Sequence, residues 1–243
     1  MFEHMFEHEE VIPQALRASA PSREVPPVQP SIPADPLAEL RVHVSRMEGR
    51  PAAQPVRTHP ALNGLLQLQT GATYSVTSAS LAALLMAGPS VDGAWCAVVG
   101  TGELGVEAAA MFGVDLDRVV VVPEPGDAWL EVVAALVDVL GMVVVRPPKN
   151  LPTPKDISRL SARLRTRGSI LVVWGDWPRC DARVGLTDVE WHGAGWGNGH
   201  LKARQATVEV RKGTAPAIER RLWLPDVDLS CHPVQERALR SVS

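Results

Sequence analysis

The sequence predicts an α/β protein whose sheet is mostly parallel and is extended at its C-terminal end by antiparallel strands. Two observations carry that prediction. Between Leu62 and Leu171 short Val-rich runs alternate with helix-like segments, and strands of near-continuous Val separated by helices mean a parallel sheet covered on both faces. After Gly185 the texture changes to alternating runs, "ATVEVRKG" and "ERRLWLPD", the period-two pattern of antiparallel strands with one buried face. With 243 residues, 46% of them hydrophobic and 21% charged, the chain can bury a full core.

Residues 1–34 precede that core. Ten of the 21 prolines fall in the first 60 residues, and "PSREVPPVQPSIPADP" can bury almost nothing, so the segment is read as a disordered or polyproline-like lead, with the tandem MFEH inside it as part of a mobile tail. Residues 35–48 then read as an amphipathic helix. Asp35 stands at the N-cap and Pro36 at the first helical position, Leu37, Leu40, Val44 and Met47 recur at helical spacing, and Gly49 follows the end. Two destinations stay open for that apolar stripe: the chain's own core, or a partner reached across a linker, residues 49–58, that contains Pro51 and Pro55.

The core, residues 59–226, is predicted to hold strands at Tyr74–Val76, Trp95–Gly100, Val119–Val122, Met142–Val145 and Ile170–Trp174. Asp127 is expected to cap a helix whose apolar face is Trp129, Val132, Val133 and Leu136. Thr153 and Pro154 open another with Ile157, Leu160 and Leu164, stopped by Gly168. Pro225 should end the last strand. Residues 227–243 are then left as a tail without a sheet partner, either disordered or ordering on a partner through Val234, Leu239 and Val242.

Composition narrows the function classes. With 24 basic against 27 acidic residues the net charge is −3, so the molecule as a whole is not expected to attract nucleic acid or anionic membrane. Cys96, Cys180 and Cys231 are far apart and odd in number, which argues against a disulfide framework and a zinc site and fits a reducing cytoplasm. The N-terminus "MFEHMFEHEE" lacks an apolar signal region, and Leu130–Val145, the most apolar stretch, carries Glu131 and Asp138; neither an export signal nor a membrane span is expected.

"TGATYSVTSASLAALLMAG" has the strand, small-residue turn and helix of a phosphate loop, yet Thr77, Ser78, Ala79 and Ser80 supply neither the glycine nor the lysine such a loop uses on phosphates. "MVVVRPP" ends in Arg146 where a nucleotide hydrolase needs a carboxylate to hold Mg²⁺. Glu103 reads as a solvated first-turn helix residue. The string G-T-G-E-L-G at 100–105 matches G-x-G-x-x-G but is set aside, because the next strand runs into Pro123 and only then Glu124. "WHGAGWGNGHLKAR" reads as a mobile hairpin connection, with stacking of Trp191 or Trp196 on single-stranded bases and Lys202 and Arg204 on phosphates as the alternative. A basic face is a further candidate for DNA or subunit contact: Arg159, Arg163 and Arg167 recur every four residues on one helix, and Arg211, Lys212, Arg220 and Arg221 lie on the last strands, although a solvated helix face is the usual meaning of such spacing.

The stretches "WCAVVGTGELGVEAAAMFGVDLDRVVVVPEPGDAWLEVVAALVDVLGMVVVRPP", "ISRLSARLRTRGSILVVWGDWP" and "HLKARQATVEVRKG" resemble the actinobacterial ImuA-prime family, RecA-like accessory proteins of the mutagenic translesion mutasome. "AAAMFGVDLDRVVVV" is the most specific piece, being similar to a segment between two core strands of RecA. The resemblance implies a RecA-like core with a degenerate nucleotide site, no catalysis and no cofactor. It implies a cytoplasmic protein found on the nucleoid at sites of DNA damage. It also implies an ImuB-type inactive Y-family polymerase as partner and, through it, an error-prone C-family DNA polymerase. The basic hairpin around Arg211 and Lys212 would then mark a former subunit interface. A single-stranded-DNA-binding RecA paralogue and a SulA-like division inhibitor are the alternatives.

Overall fold

The computed structural model describes residues 52–235 apart from 103, 149–151 and 195–198. The expected lead and the helix carrying Leu37, Leu40, Val44 and Met47 lie outside the described residues, as do Leu239 and Val242. The described residues form an α/β fold around a mixed sheet. Its strands are β3 (Thr73–Val76), β4 (Cys96–Val99), β5 (Val119–Val122), β6 (Met142–Val145), β7 (Ile170–Trp174), β8 (Ala182–Ala194), β9 (Gly199–Arg211), β10 (Ile218–Trp223) and β11 (His232–Pro233). They are ordered β11-β10-β9-β8-β3-β7-β6-β4-β5. Pairing is parallel from β8 through β3 to β5 and antiparallel from β8 to β11, the expected mostly parallel sheet with an antiparallel extension. β1 (Pro55–Val56) and β2 (Leu68–Gln69) make a separate two-stranded ribbon.

Pleating sorts the Val-rich strands onto two faces. Met142 and Val144 of β6 join Cys96 and Val98 of β4 under α1 (Ala79–Val91) and α2 (Val106–Met111). Val143 and Val145 join Ala97 and Val99 under α3 (Trp129–Val137) and α4 (Pro154–Arg167). α1 is buried from Leu81 to Ser90, which is why its sequence is apolar all round. No helix among the described residues is long and apolar enough to cross a membrane.

α4 is built as its sequence foretells. Thr153 Oγ1 accepts from the Asp156 N–H at 3.3 Å, Pro154 takes the first helical position, and Gly168 at φ 72° donates its N–H to the Leu164 carbonyl at 2.8 Å. Three expectations are corrected. Asp127 does not cap α3: Gly126, at φ 62°, starts a 3₁₀ turn that takes in Asp127, and Ala128 at the N-cap makes no side-chain bond. The linker 49–58 does not stand apart over its last residues, since β1 pairs with β2 and Thr58 Oγ1 accepts from the Leu68 N–H at 3.2 Å. Nor is the tail after Val227 without a sheet partner. A turn closed by Asp226 N–H to the Ser230 carbonyl (2.8 Å) swings β11 along β10, pairing Leu222 with Pro233, and half-buried Val234 donates to the Arg221 carbonyl at 2.9 Å.

The arginine stripe of α4 has a local use. Arg163 grips Asp138 with two bonds of 2.7 Å, and Arg167 Nε adds a third at 3.2 Å. These hydrogen bonds, Arg163's foremost, hold the Asp138 carboxyl below its ordinary value. A depressed carboxylate contributes stability above its unfolded pKa, near 4, and loses it as pH falls through the lower folded value. Asp138→Asn is therefore expected to be less stable than the parent at pH 7, with the gap in urea midpoint closing below about pH 4. An unchanged gap at pH 3 would mean that the pair's charge contributes nothing.

Candidate functional site

The turn from β3 to α1 is where the sequence suggested a degenerate phosphate loop, and each of its residues is engaged. Thr77 is tied to β8, its N–H on the Val184 carbonyl at 3.2 Å and its Oγ1 accepting from Leu186 at 3.3 Å. Ser78 caps α1, accepting from the Leu81 N–H at 3.3 Å, and Ala79 is the first residue of the helix. Ser80 Oγ lies 3.1 Å from Ser78 Oγ and accepts from Arg204 Nη2 at 2.9 Å. Arg204, on β9, also donates Nε to the Leu224 carbonyl at 2.8 Å and lies over the Trp191 ring at 5.3 Å. Burial lowers its pKa from the ordinary guanidinium value. The arginine that the alternative reading put on nucleic-acid phosphates thus reaches into the turn after β3, and its Nε and Nη2 donate to protein oxygens. Beside it runs a 470 Å³ groove lined by Ala83, Phe112, Trp191 and Pro225.

Arg146 does not join these residues, because β7 separates β6 from β3. It leaves the end of β6, its guanidinium 4.5 Å from the Trp174 ring centroid, and lines a different, larger cavity of about 950 Å³ beyond the ends of β4, β5 and β6. The aromatic face is one of the contacts that hold this cation, and the end of β6 offers a metal ion a positive charge.

The other basic candidates scatter. Arg159 lies 4.0 Å from Asp156 and Arg211 pairs with Glu209, while Lys202 and Lys212 are exposed on β9 and just after it. Trp191 and His192 belong to β8 rather than to a loop, and His192 tilts against Trp223 at 5.1 Å. Sequence reasoning passed over Asp226, Asp228 and His232, whose ligand atoms gather within 4.8 Å. The Asp-x-Asp spacing was the available signal. The cluster serves the turn before β11: His232 Nε2 meets Asp226 Oδ2 at 3.0 Å, and Asp228 Oδ1 accepts from Ser230 N at 2.9 Å and Oγ at 2.6 Å. Burial pushes the Cys96 thiol to about 12 and that of Cys231 to about 11, so neither is a nucleophile near neutral pH.

A family model described as the MT3502 N-terminal domain matches residues 61–179. The chain is 30% identical over 154 residues to the uncharacterized protein Rv3395c of Mycobacterium tuberculosis, an overlap covering 62% of this chain and 76% of that one. The chain belongs to the Rv3395c family. The MT3502 N-terminal domain match starts just before β2 and stops after β7, so it spans the parallel strands from β3 to β7 with the four α-helices of the described residues, and ends before β8. The turn after β3, the end of β6 and the lining of the larger cavity all fall inside it. Arg204 and Trp191, which close over that turn, fall outside it.

Proposed function

We propose that this member of the Rv3395c family is a non-catalytic, RecA-like accessory subunit of a DNA-damage-induced translesion synthesis complex, held there by an ImuB-type inactive Y-family polymerase. The observation that carries the reading is the turn from β3 to α1. The fold keeps a strand, turn and helix in the phosphate-loop arrangement, yet Arg204 and Ser80 bond to each other there, and β6 ends in Arg146. Losing the lysine and the metal carboxylate together removes the charges that stabilise phosphoryl transfer. What is left is a scaffold, which suits a protein that acts by holding others.

The ImuB-type partner rests on the sequence resemblance, and the use of residues 35–48 rests on their apolar stripe of Leu37, Leu40, Val44 and Met47. The test is co-purification of the full chain with an ImuB-type polymerase relative, for the parent and for Leu40→Asp/Val44→Asp. Charges on the apolar stripe should cut association at least about a hundredfold, since each buried aliphatic contributes roughly 1.5–3 kcal/mol, while the melting temperature stays within about a degree. Two outcomes go against the reading: a fall in melting temperature with normal association, and Mg²⁺-dependent ATP turnover by the purified chain. Salt-dependent single-strand binding without the polymerase would favour a DNA-binding paralogue. Filamentous cells on overexpression would favour a division inhibitor.

A further inference from the structure

We propose that the cavity beyond β4, β5 and β6 is a binding site for a ribonucleotide, distinct from the degenerate turn after β3 and independent of the accessory-subunit reading. β4 and β6 are parallel neighbours whose chains leave in opposite directions, β4 through α2 to the edge strand β5 and β6 through α4 to β7. Loops that diverge in this way open a crevice at the strands' carboxyl ends, where ligands of open α/β sheets bind. Here the crevice measures about 950 Å³, the size range of small-molecule sites.

Its lining repeats the chemistry of a nucleotide-binding turn. β4 runs into Gly100-Thr101-Gly102 and, at Gly105, into α2. Gly100 sits at φ +71°, and a Cβ there would stand 2.8 Å from the Arg146 carbonyl oxygen, so glycine alone lets the end of β4 lie against the end of β6. A Cβ on Gly102 would meet nothing within 4 Å, which leaves the backbone open to a phosphate. The missing acidic strand end is supplied in three dimensions. Val99 pairs with Val122 and the Gly100 N–H bonds to the Val122 carbonyl at 2.9 Å, which sets Glu124, two residues on, beside the glycine turn in the wall of the same cavity. A carboxylate there is the group that accepts from a ribose 2′-hydroxyl.

A second observation, independent of the motif, points to a ligand. Thr101 lines the cavity and is 3% exposed, yet its Oγ1 has no hydrogen-bond partner. A buried hydroxyl left unpaired is costly and uncommon, and a phosphate or ribose oxygen would satisfy it. Arg146, Glu124 and Asp127 all line the cavity, so it offers a basic group for phosphate as well as a carboxylate for ribose. Pro125, Pro147 and Trp129 give the apolar walls on which a base can lie.

The experiment is calorimetric titration of the full chain with ADP, 2′-deoxy-ADP and inorganic phosphate, ADP serving as a probe of ribose and phosphate rather than of base identity. ADP should bind saturably, with 2′-deoxy-ADP about tenfold weaker, the usual effect of one hydrogen bond to a charged group. Glu124→Ala should bind ADP about as weakly as the parent binds the deoxy form and should no longer tell the two apart. Gly102→Val, whose side chain enters open space, should abolish binding, while Ala108→Glu in the neighbouring groove should not affect it. The absence of saturable binding at millimolar ADP would overturn the proposal. So would discrimination against the deoxy form that survives Glu124→Ala, and so would loss of binding in Ala108→Glu but not in Gly102→Val. Where Gly102→Val fails to fold, the Glu124→Ala comparison decides alone.

Discussion

Gly88→Val is expected to destabilise the protein by at least about 3 kcal/mol, at the upper end of what overpacking costs, and Gly88→Ala by about 1–3 kcal/mol. Gly88 lies in the C-terminal half of α1, a helix interior where glycine is ordinarily a weakness, so helix propensity alone would make alanine a gain of up to about 1 kcal/mol. Contact reverses the sign. A Cβ at Gly88 would stand 2.3 Å from the Arg57 carbonyl oxygen, 2.8 Å from its carbon and 2.9 Å from Thr58 Cα. These are backbone atoms of a segment pinned on both sides, by β1 pairing with β2 and by Thr58 Oγ1 accepting from Leu68, so they cannot swing away as a flexible side chain would. Room for the methyl comes only from lifting residues 57–58 off α1 and opening the ribbon. Urea denaturation measures this directly. An alanine variant as stable as the parent would show that residues 55–58 lie loosely on the helix and that the linker runs on to residue 58 after all.

What was legible in the sequence follows from how local the determining contacts are. α4 could be read from end to end because its signals, Thr153, Pro154 and Gly168, act within one turn of the helix they bound. β4, β6 and β7 were legible because burial on both faces writes itself as apolar runs, and the edge strand β5 was legible as a run of Val although Val120 and Val121 are exposed. Asp127 misled because Gly126 turns the chain just ahead of it, and a positive φ is a backbone property that the neighbouring capping residue does not reveal. β11 was missed because its partner edge comes from β10 across a turn held by Asp226 and Ser230, and two residues carry no periodicity of their own.

The candidate sites divide in the same way. The turn from Thr77 to Ser80 was visible as a local strand, turn and helix. The group that enters it was not, because Arg204 arrives from β9, 124 residues along the chain from Ser80, after a hairpin whose length no local pattern sets. Glu124 looked two residues too late to serve the glycine turn at 100–102. Only the register of β4 on β5 shows that the end of one strand faces the end of the other, which makes those two residues the distance the cavity needs.

The C-terminal segment gives the last prediction, because its correction changes where the chain can be cut. Truncation after Asp226 removes β11, its pairing with Leu222 and Trp223, the Val234 bond to Arg221, the Asp226–His232 contact and Cys231, a partly buried side chain packed against the main core. Two or three net hydrogen bonds at about 1 kcal/mol each, with part of a buried side chain, amount to roughly 2–4 kcal/mol, or a fall of about 4–16 °C in melting temperature for a domain of this size. The edge of β10 that β11 covers would also be bared, and an exposed edge strand invites association between chains, so the shortened protein should show concentration-dependent light scattering on heating. Truncation after Gln235 keeps every one of those contacts and is expected to melt within about a degree of the parent. It is therefore the right variant for asking whether Leu239 and Val242 help hold a polymerase partner, since a drop in association then reports on the segment itself and not on a loosened sheet. Equal melting temperatures for the two truncations would show that β11 adds no stability and would return residues 227–243 to the partnerless tail that the sequence alone suggested.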